Sequence, residues 1–79
     1  MPIFYTKVEV IIMLIRRIKD LRVDSDMKQK ELAEYLNVTQ STYSDYENGN
    51  INVPIEQLIR ICDFYKVSLD YLVGRTDKR

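Results

Sequence analysis

Two short amphipathic segments joined by a three-residue connection constrain this chain more than any other feature. The segments are QKELAEYL at 29–36 and QSTYSDYE at 40–47, and both carry apolar or aromatic residues at helical spacing. Two helices joined so tightly must cross at a steep angle. Such a crossing needs a small residue at the contact, which Ala33 supplies, and a turn residue that tolerates positive φ, which Asn37 supplies.

Helical periodicity continues on both sides of this pair. Apolar residues from Leu14 to Leu21 predict a first helix over about 13–23. Pro54 pre-sets the first turn of a fourth helix that ends near 65, and Ser68 caps a short fifth helix that Gly74 ends. The predicted inner residues of the second, third and fourth helices are Leu32, Ala33, Leu36, Val38, Tyr43, Tyr46, Ile55, Leu58, Ile59, Cys62 and Tyr65.

Residues 2–12, PIFYTKVEVII, predict a β-strand, because they are rich in β-branched and aromatic residues that alternate at period two. A lone strand is unstable in water, so we expect it to lie on the helices or pair with another molecule. In the simplest version two copies pair antiparallel across a dimer about a two-fold near Val8, with Lys7 facing Glu9. The dimer strand would use Phe4, Thr6, Lys7, Val8, Glu9 and Val10.

The alternative is that residues 1–12 are a non-native extension, because Met13 could serve as a start. The predicted organisation is therefore an N-terminal strand at 1–12, a helical domain at 13–74 and a polar, frayed tail at 75–79. The 79 residues suffice for one small domain.

Composition excludes several classes of function. The chain has no His and a single Cys62, and it lacks a Gly-rich phosphate loop, so neither a metal site nor enzyme chemistry is expected, and no cofactor is implied. Its longest strongly apolar stretch, VIIMLI at 10–15, is too short to span a bilayer. We expect a cytoplasmic protein that is not an enzyme and has no membrane partner.

MKQKELAEYLNVTQSTYSDYENG followed by PIEQLIRICDFYKVSLDYLVGRTD resembles the lambda-repressor-like helix-turn-helix domains of the Xre/Cro/CI family. The resemblance covers about 14–76. It implies an all-α, five-helix DNA-binding domain, to which the predicted strand would be an addition. It also implies a homodimer on a pseudo-palindromic operator, acting in transcription regulation, as a repressor, in a bacterium or phage. Arg22 and Glu47 match the family's structural ion pair.

The resemblance also implies which residues contact DNA. The third helix would lie in the major groove, where Gln40 can pair with adenine and Asp45 can accept from cytosine N4. The expected base-reading residues are Gln40, Ser41, Ser44 and Asp45. The expected phosphate contacts are Gln29 and Thr39 at the two helix starts, with Lys28, Lys30, Tyr43 and Asn48 as weaker candidates.

Charge is distributed unevenly although the formal net charge is zero. Residues 28–50 sum to −2, whereas 13–23 sum to +3 and 74–79 sum to +2. Because nonspecific affinity follows the number of phosphates neutralised, we expect weak nonspecific DNA binding. Two alternatives remain open: the polar face of the third helix is only a solvated surface, or the protein is an antitoxin or antirepressor that acts on a regulatory protein partner.

Overall fold

The computed structural model describes residues 6–79, and over that range the chain forms five α-helices and no strand. They are α1 (Lys7–Asp24), α2 (Gln29–Leu36), α3 (Gln40–Asn48), α4 (Ile55–Tyr65) and α5 (Leu69–Leu72). The predicted all-α, five-helix fold is confirmed.

The prediction of an N-terminal strand is wrong for the residues that can be described. Lys7, Val8, Glu9 and Val10 form the first turn of α1, and Thr6 is its N-cap, accepting a hydrogen bond from the Glu9 backbone N–H at 3.0 Å. Phe4, the remaining member of the proposed dimer strand, lies outside the described residues.

The physical reason is that strand propensity is weak compared with helix propagation. β-Branched residues disfavour a helix by well under about 1 kcal/mol each. Val10 stands one turn before Leu14, so an already formed helix extends upstream with its inner stripe intact. An isolated strand would have left its backbone groups unpaired.

The core draws on all five helices and on the segment between α4 and α5. Ile18 of α1, Leu32 of α2 and Tyr43 of α3 are fully buried. The buried apolar cluster comprises Ile18, Leu21, Leu32, Ala33, Leu36, Tyr43, Tyr46, Leu58, Ile61, Cys62, Val67, Tyr71 and Leu72.

The buried side of α4 differs in part from the predicted one. On α4 the buried side is formed by Leu58, Ile61 and Cys62, whereas Ile55 and Ile59 are 55% and 52% exposed. Ile55 and Ile59 match the helical period, but they lie on the edge of the helix that turns away from the core. Periodicity alone could not separate the two edges.

The α2–α3 connection has the geometry that its sequence predicts. Ala33 is 2% exposed, and its carbonyl accepts hydrogen bonds from the backbone N–H groups of Asn37 and Val38. Asn37 adopts φ 59° in the left-handed region, where Asn is tolerated better than most residues. Gln57 of α4 donates its side-chain amide to the Leu36 carbonyl at 3.0 Å, which fixes the end of α2 against α4.

The C-terminal tail, whose polar sequence predicts fraying, contacts α1 in the structure. The Arg17 guanidinium lies over the Tyr71 ring, donates to the Thr76 carbonyl at 2.6 Å and contacts Asp77 at 2.8 Å. Arg79 forms a second contact with α1, at 3.1 Å from Asp24. The last residues therefore cover one side of α1 and α5.

Candidate nucleic-acid interface

The first turn of α3 presents a polar surface to solvent. Gln40 and Ser41 are exposed, while Ser44 and Asp45, one turn later, are half-buried. Tyr43 and Tyr46 lie on the opposite side of α3 in the core, so the polar face points away from the domain. Gln40, Ser41, Ser44 and Asp45 therefore share one accessible side of a short helix.

The start of α3 is capped by its own hydroxyls. Thr39 Oγ1 accepts from the Thr42 backbone N–H at 3.1 Å and donates to Thr42 Oγ1 at 3.0 Å. The Thr39 side chain is thus engaged in capping, and the groups left at this helix start are backbone N–H donors of the first turn. These donors and the helix dipole favour an anion.

The start of α2 is different because Lys28 is its N-cap and a Lys side chain cannot accept a hydrogen bond. Instead, the side chain of Glu31 caps the backbone of Lys28: the Lys28 backbone N–H donates to the Glu31 carboxylate at 2.9 Å. The side chains of Lys28 and Lys30 are exposed beside this helix start. They provide positive charge where the fold brings the α2 start to the surface.

Gln29 has a structural contact in addition to its predicted phosphate contact. Its side-chain amide donates to Glu47 Oε1 at 3.2 Å, which links the start of α2 to the end of α3. Only the second amide hydrogen and the backbone N–H of Gln29 are then left for a phosphate.

Sequence reasoning missed Asn50, which lies just after α3 and holds Asp45. The Asn50 side-chain amide donates to Asp45 Oδ1 at 3.2 Å, and its backbone N–H donates to the Asp45 carbonyl at 3.0 Å. One carboxylate oxygen of Asp45 is thereby oriented, and the other keeps its acceptor sites. The signal in the sequence was Asn following Gly49 at a helix end, where the chain folds back in a left-handed cap.

Asn48 makes a similar contact with Ser44, the residue before Asp45. Its side-chain amide donates to Ser44 Oγ at 3.3 Å, so Asn48 and Ser44 form a polar pair on the exposed end of α3. The Ser44 hydroxyl can still donate its own hydrogen.

Arg22 and Glu47 form a two-bond ion pair between α1 and α3. Arg22 Nε and Nη2 lie 2.7 Å and 3.0 Å from the two Glu47 carboxylate oxygens, and Glu47 is 4% exposed. Arg22 also donates to the Met27 carbonyl at 3.0 Å. Burial by itself would raise the pKa of Glu47, but the hydrogen bonds from Arg22, followed by the adjacent Tyr43 hydroxyl and the Gln29 amide, outweigh burial and leave that pKa below its ordinary value.

The structure buries Tyr43, which counts against its predicted phosphate contact. Its side chain is fully buried, and within residues 6–79 its hydroxyl has no hydrogen-bond partner, although it lies beside Glu47. Burial raises the pKa of Tyr43 well above its usual range and raises the pKa of Tyr65 to about 12. Both rings pack in the core, so their hydroxyls do not reach the surface that α3 exposes.

Several basic residues outside the α2–α3 unit (29–48) are already paired within the fold. Arg22 is bound to Glu47, so it adds no free charge to the candidate interface. The other ion pairs in the described chain join Arg17 to Asp77, Arg75 to Asp70 and Arg79 to Asp24. The positive charge available to phosphates is therefore smaller than a count along the sequence indicates.

Two other kinds of feature are not found in residues 6–79. No helix there is both long and apolar enough to cross a membrane. No group of three or more His, Cys, Asp or Glu side chains in that range is placed to hold a metal ion.

The comparisons with known proteins agree with this geometry. The cryptic phage CTXphi transcriptional repressor RstR of Vibrio cholerae is 34% identical over 61 residues, 77% of this chain and 55% of RstR. Antitoxin PezA of Streptococcus pneumoniae is 36% identical over 62 residues, 78% of this chain and 39% of PezA. The crystal structure of a transcriptional regulator from Listeria innocua superposes with a TM-score of 0.75 and 30% identity, covering 84% of this chain and 62% of that one.

The chain spans between 49% and 58% of the length of the first curated relatives that it matches. The helix-turn-helix family model HTH_3 matches residues 18–72, which include α2 through α5 and the last two turns of α1. The chain therefore belongs to the HTH_3 helix-turn-helix family, the Xre/Cro/CI-like group that its sequence resembles.

Proposed function

We propose that this protein is a sequence-specific double-stranded DNA-binding transcription regulator that places α3 in the major groove. The observation that carries the proposal is the exposed start of α3: Gln40 and Ser41 project from a helix whose other side is fixed in the core. In this motif the residues at the start of the second helix contact base edges.

The reading surface divides into three chemical roles. Gln40 offers an amide donor and an acceptor to adenine N7 and N6, and Ser41 can donate or accept. Asp45 is an acceptor for cytosine N4, oriented by its hydrogen bond from Asn50. Ser44, paired with Asn48, lies beside them on the same face.

Phosphate contacts come from the two helix starts and the exposed basic side chains near them. The first-turn backbone N–H groups of α2 and α3 suit phosphate oxygens. Lys28 and Lys30 add charge, Gln29 and Asn48 add polar contacts at the edges of the face, and Thr39 would contribute through its backbone N–H. These contacts set position on the duplex but carry no sequence information.

Two copies binding symmetry-related half-sites would read a pseudo-palindromic operator. Repression is the proposed sign of regulation, supported by the likeness to RstR, a transcriptional repressor. The proposed setting is the cytoplasm of a bacterium, with the protein on the nucleoid when bound, and the proposal assigns no catalytic step to any residue.

A second candidate is an antitoxin or antirepressor that acts mainly through a protein partner, and the likeness to PezA, an antitoxin, favours it. PezA is similar to this chain over 62 residues, so a segment like this one also occurs in an antitoxin. The two candidates differ in what the exposed start of α3 contacts.

The experiment is selection of bound fragments from sheared bacterial DNA and from a random duplex library by the purified 79-residue chain, followed by sequencing. The proposal expects an enriched symmetric motif that competes with labelled fragments in solution. The purified chain is also incubated with a bacterial lysate. Recovery of DNA without an enriched motif, together with retention of a stoichiometric protein partner from that lysate, supports the second candidate and contradicts the first.

A further inference from the structure

The first turns of α1 carry more apolar surface than the fold covers. Seven of the eight residues from 8 to 15 are apolar. A helix that is apolar on all sides is normally covered on all sides. Yet Val8 is 63% exposed and Ile12 is 51% exposed, whereas Leu14 packs against the core cluster.

The neighbouring side chains explain which side of α1 is open. Met13 packs on Gly74 and Ile15 packs on Gly49, so closely that a methyl group on either glycine would clash. Those contacts occupy the flanks of the helix. The side that stays open comprises Val8, Glu9, Ile12 and Arg16, which we call the α1 outer face.

Charges on the α1 outer face are self-complementary. Glu9 precedes Ile12 by three residues and Arg16 follows it by four, so they lie about 4.5 Å and 6 Å from Ile12 along the axis, on opposite sides. Both are exposed, and neither forms an ion pair with another described residue. A two-fold axis through Ile12 places Glu9 of each copy opposite Arg16 of the other.

We propose that the α1 outer face binds a second copy of this chain, with the two α1 helices antiparallel and crossing at Ile12. The seam buries Val8 and Ile12 of both copies, and two Glu9–Arg16 pairs flank it. Apolar residues at a helix seam with opposite charges at its edges are the elements of coiled-coil pairing. The proposal concerns self-association and stands independently of DNA binding.

The exposed apolar side of α4 lacks this complementarity. Ile59 on α4 is 52% exposed beside Ile55, but the residues three before and four after it are Glu56 and Asp63. The same antiparallel arrangement there would oppose two carboxylates across the seam. The family model matches from residue 18, so all four residues of the α1 outer face lie ahead of that match.

The experiment is sedimentation equilibrium of the 79-residue chain over a wide concentration range. The wild type is expected to form a concentration-dependent dimer. Arg16→Glu places a carboxylate opposite Glu9 at both ends of the seam. The resulting repulsion is expected to raise the dimer dissociation constant about tenfold or more. The double variant Glu9→Lys/Arg16→Glu restores opposite charges and is expected to recover most of the affinity.

Two controls make the result specific to this surface. Lys66→Glu makes the same charge change at an exposed position after α4 and should leave dimerisation unchanged. Ile59→Lys tests the α4 side and should also leave it unchanged, whereas Ile12→Lys should abolish the dimer. Circular dichroism of each variant checks that α1 still forms.

A wild type that stays monomeric at every concentration overturns the proposal. A dimer that survives Ile12→Lys and Arg16→Glu, or that Ile59→Lys disrupts, overturns it as well. Loss of the dimer in Arg16→Glu without recovery in the double variant contradicts the charge pairing that defines the antiparallel arrangement.

Discussion

Glu47 is the buried charge on which the contact between α1 and α3 depends. Its carboxylate receives two hydrogen bonds from Arg22 and one from Gln29, so three segments of the chain meet at one side chain. Removing one partner of a buried pair leaves the other charge desolvated, which is more costly than never having the pair.

We therefore predict that Glu47→Gln lowers the free energy of unfolding by about 2–4 kcal/mol. The measurement is urea unfolding at pH 7, followed by circular dichroism. Glu56→Gln, a matched change at an exposed position of α4, should alter stability by less than about 0.5 kcal/mol. Equal losses in the two variants would contradict a structural role for the pair.

The lowered pKa of Glu47 also determines the direction in which folding stability changes with pH. The pKa of Glu47 is lower in the folded chain than its ordinary value of 4.5, so the unfolded state takes up protons first as the pH falls. The contribution of Glu47 to stability is then complete well above pH 4.5 and is lost as the pH falls through the folded pKa. Glu47→Gln should lack this component of the acid transition, and an identical acid transition in both proteins would count against it.

Asp45 is the residue whose role the sequence left ambiguous, because a carboxylate on a DNA-facing helix can select a base or repel the backbone. The hydrogen bond from Asn50 orients one oxygen of Asp45 and favours selection. We predict that Asp45→Asn relaxes preference at one position of the operator, by about 1–3 kcal/mol between bases. Fluorescence anisotropy with single-base operator variants measures this, and a uniform gain in affinity for all DNA would show that Asp45 only repels.

At the scale of helices, the α2–α3 pair was the most predictable part of the molecule. The sequence predicted α2 over 29–36 and α3 over 40–47, and the structure has them at Gln29–Leu36 and Gln40–Asn48. The reason is that local signals agree there: Thr39 caps, Asn37 turns and Ala33 permits the close crossing. All of these act within a few residues of each other.

The crossing itself supplies a prediction. Ala33 is 2% exposed where α2 meets α3, so Ala33→Leu adds volume that the contact cannot hold. We expect a loss of about 1–3 kcal/mol in the free energy of unfolding. Glu34→Leu, at the next residue on the exposed side of α2, is the matched control. Thermal unfolding should show a lower melting temperature for Ala33→Leu than for Glu34→Leu. Equal stability would mean that the helices do not cross closely at residue 33.

The parts that sequence reasoning predicted poorly depend on contacts far apart in the chain. The β-branched run before Met13 follows strand preferences locally, but it continues a helix that packs on α3 and α5. The tail is polar, yet Arg17, about 60 residues earlier, holds it in place. For the same reason the contact from Asn50 to Asp45 and the burial of the Tyr43 hydroxyl followed from packing and could not be predicted from spacing.

At the scale of the whole molecule, the distribution of charge determines how the proposed DNA binding should depend on salt. The α2–α3 unit with its N-cap carries only two basic side chains, Lys28 and Lys30, and four arginines elsewhere are engaged in ion pairs within the fold. Affinity for random duplexes should therefore depend weakly on salt. The specificity of such a protein would come from base edges more than from charge.

For a dimer we predict that the logarithm of affinity for random DNA falls with the logarithm of salt concentration with a slope near −4, from about four neutralised phosphates. Binding isotherms between low and physiological salt measure this slope, with operator and random duplexes in parallel. A slope near −10 on random DNA would show that the paired arginines are available to phosphates after all.

The most direct measurement of the central claim, that the exposed start of α3 reads base edges, is selection from a random duplex library by the wild type and by Gln40→Ala in parallel. The account predicts a symmetric motif for the wild type and, for the variant, the same motif with the preference lost at one position in each half-site. The exposed Gln40 makes no intramolecular hydrogen bond through its side chain in the described chain, so the fold should be unaffected. An identical motif in both selections, or no enriched motif with the wild type, would contradict the account.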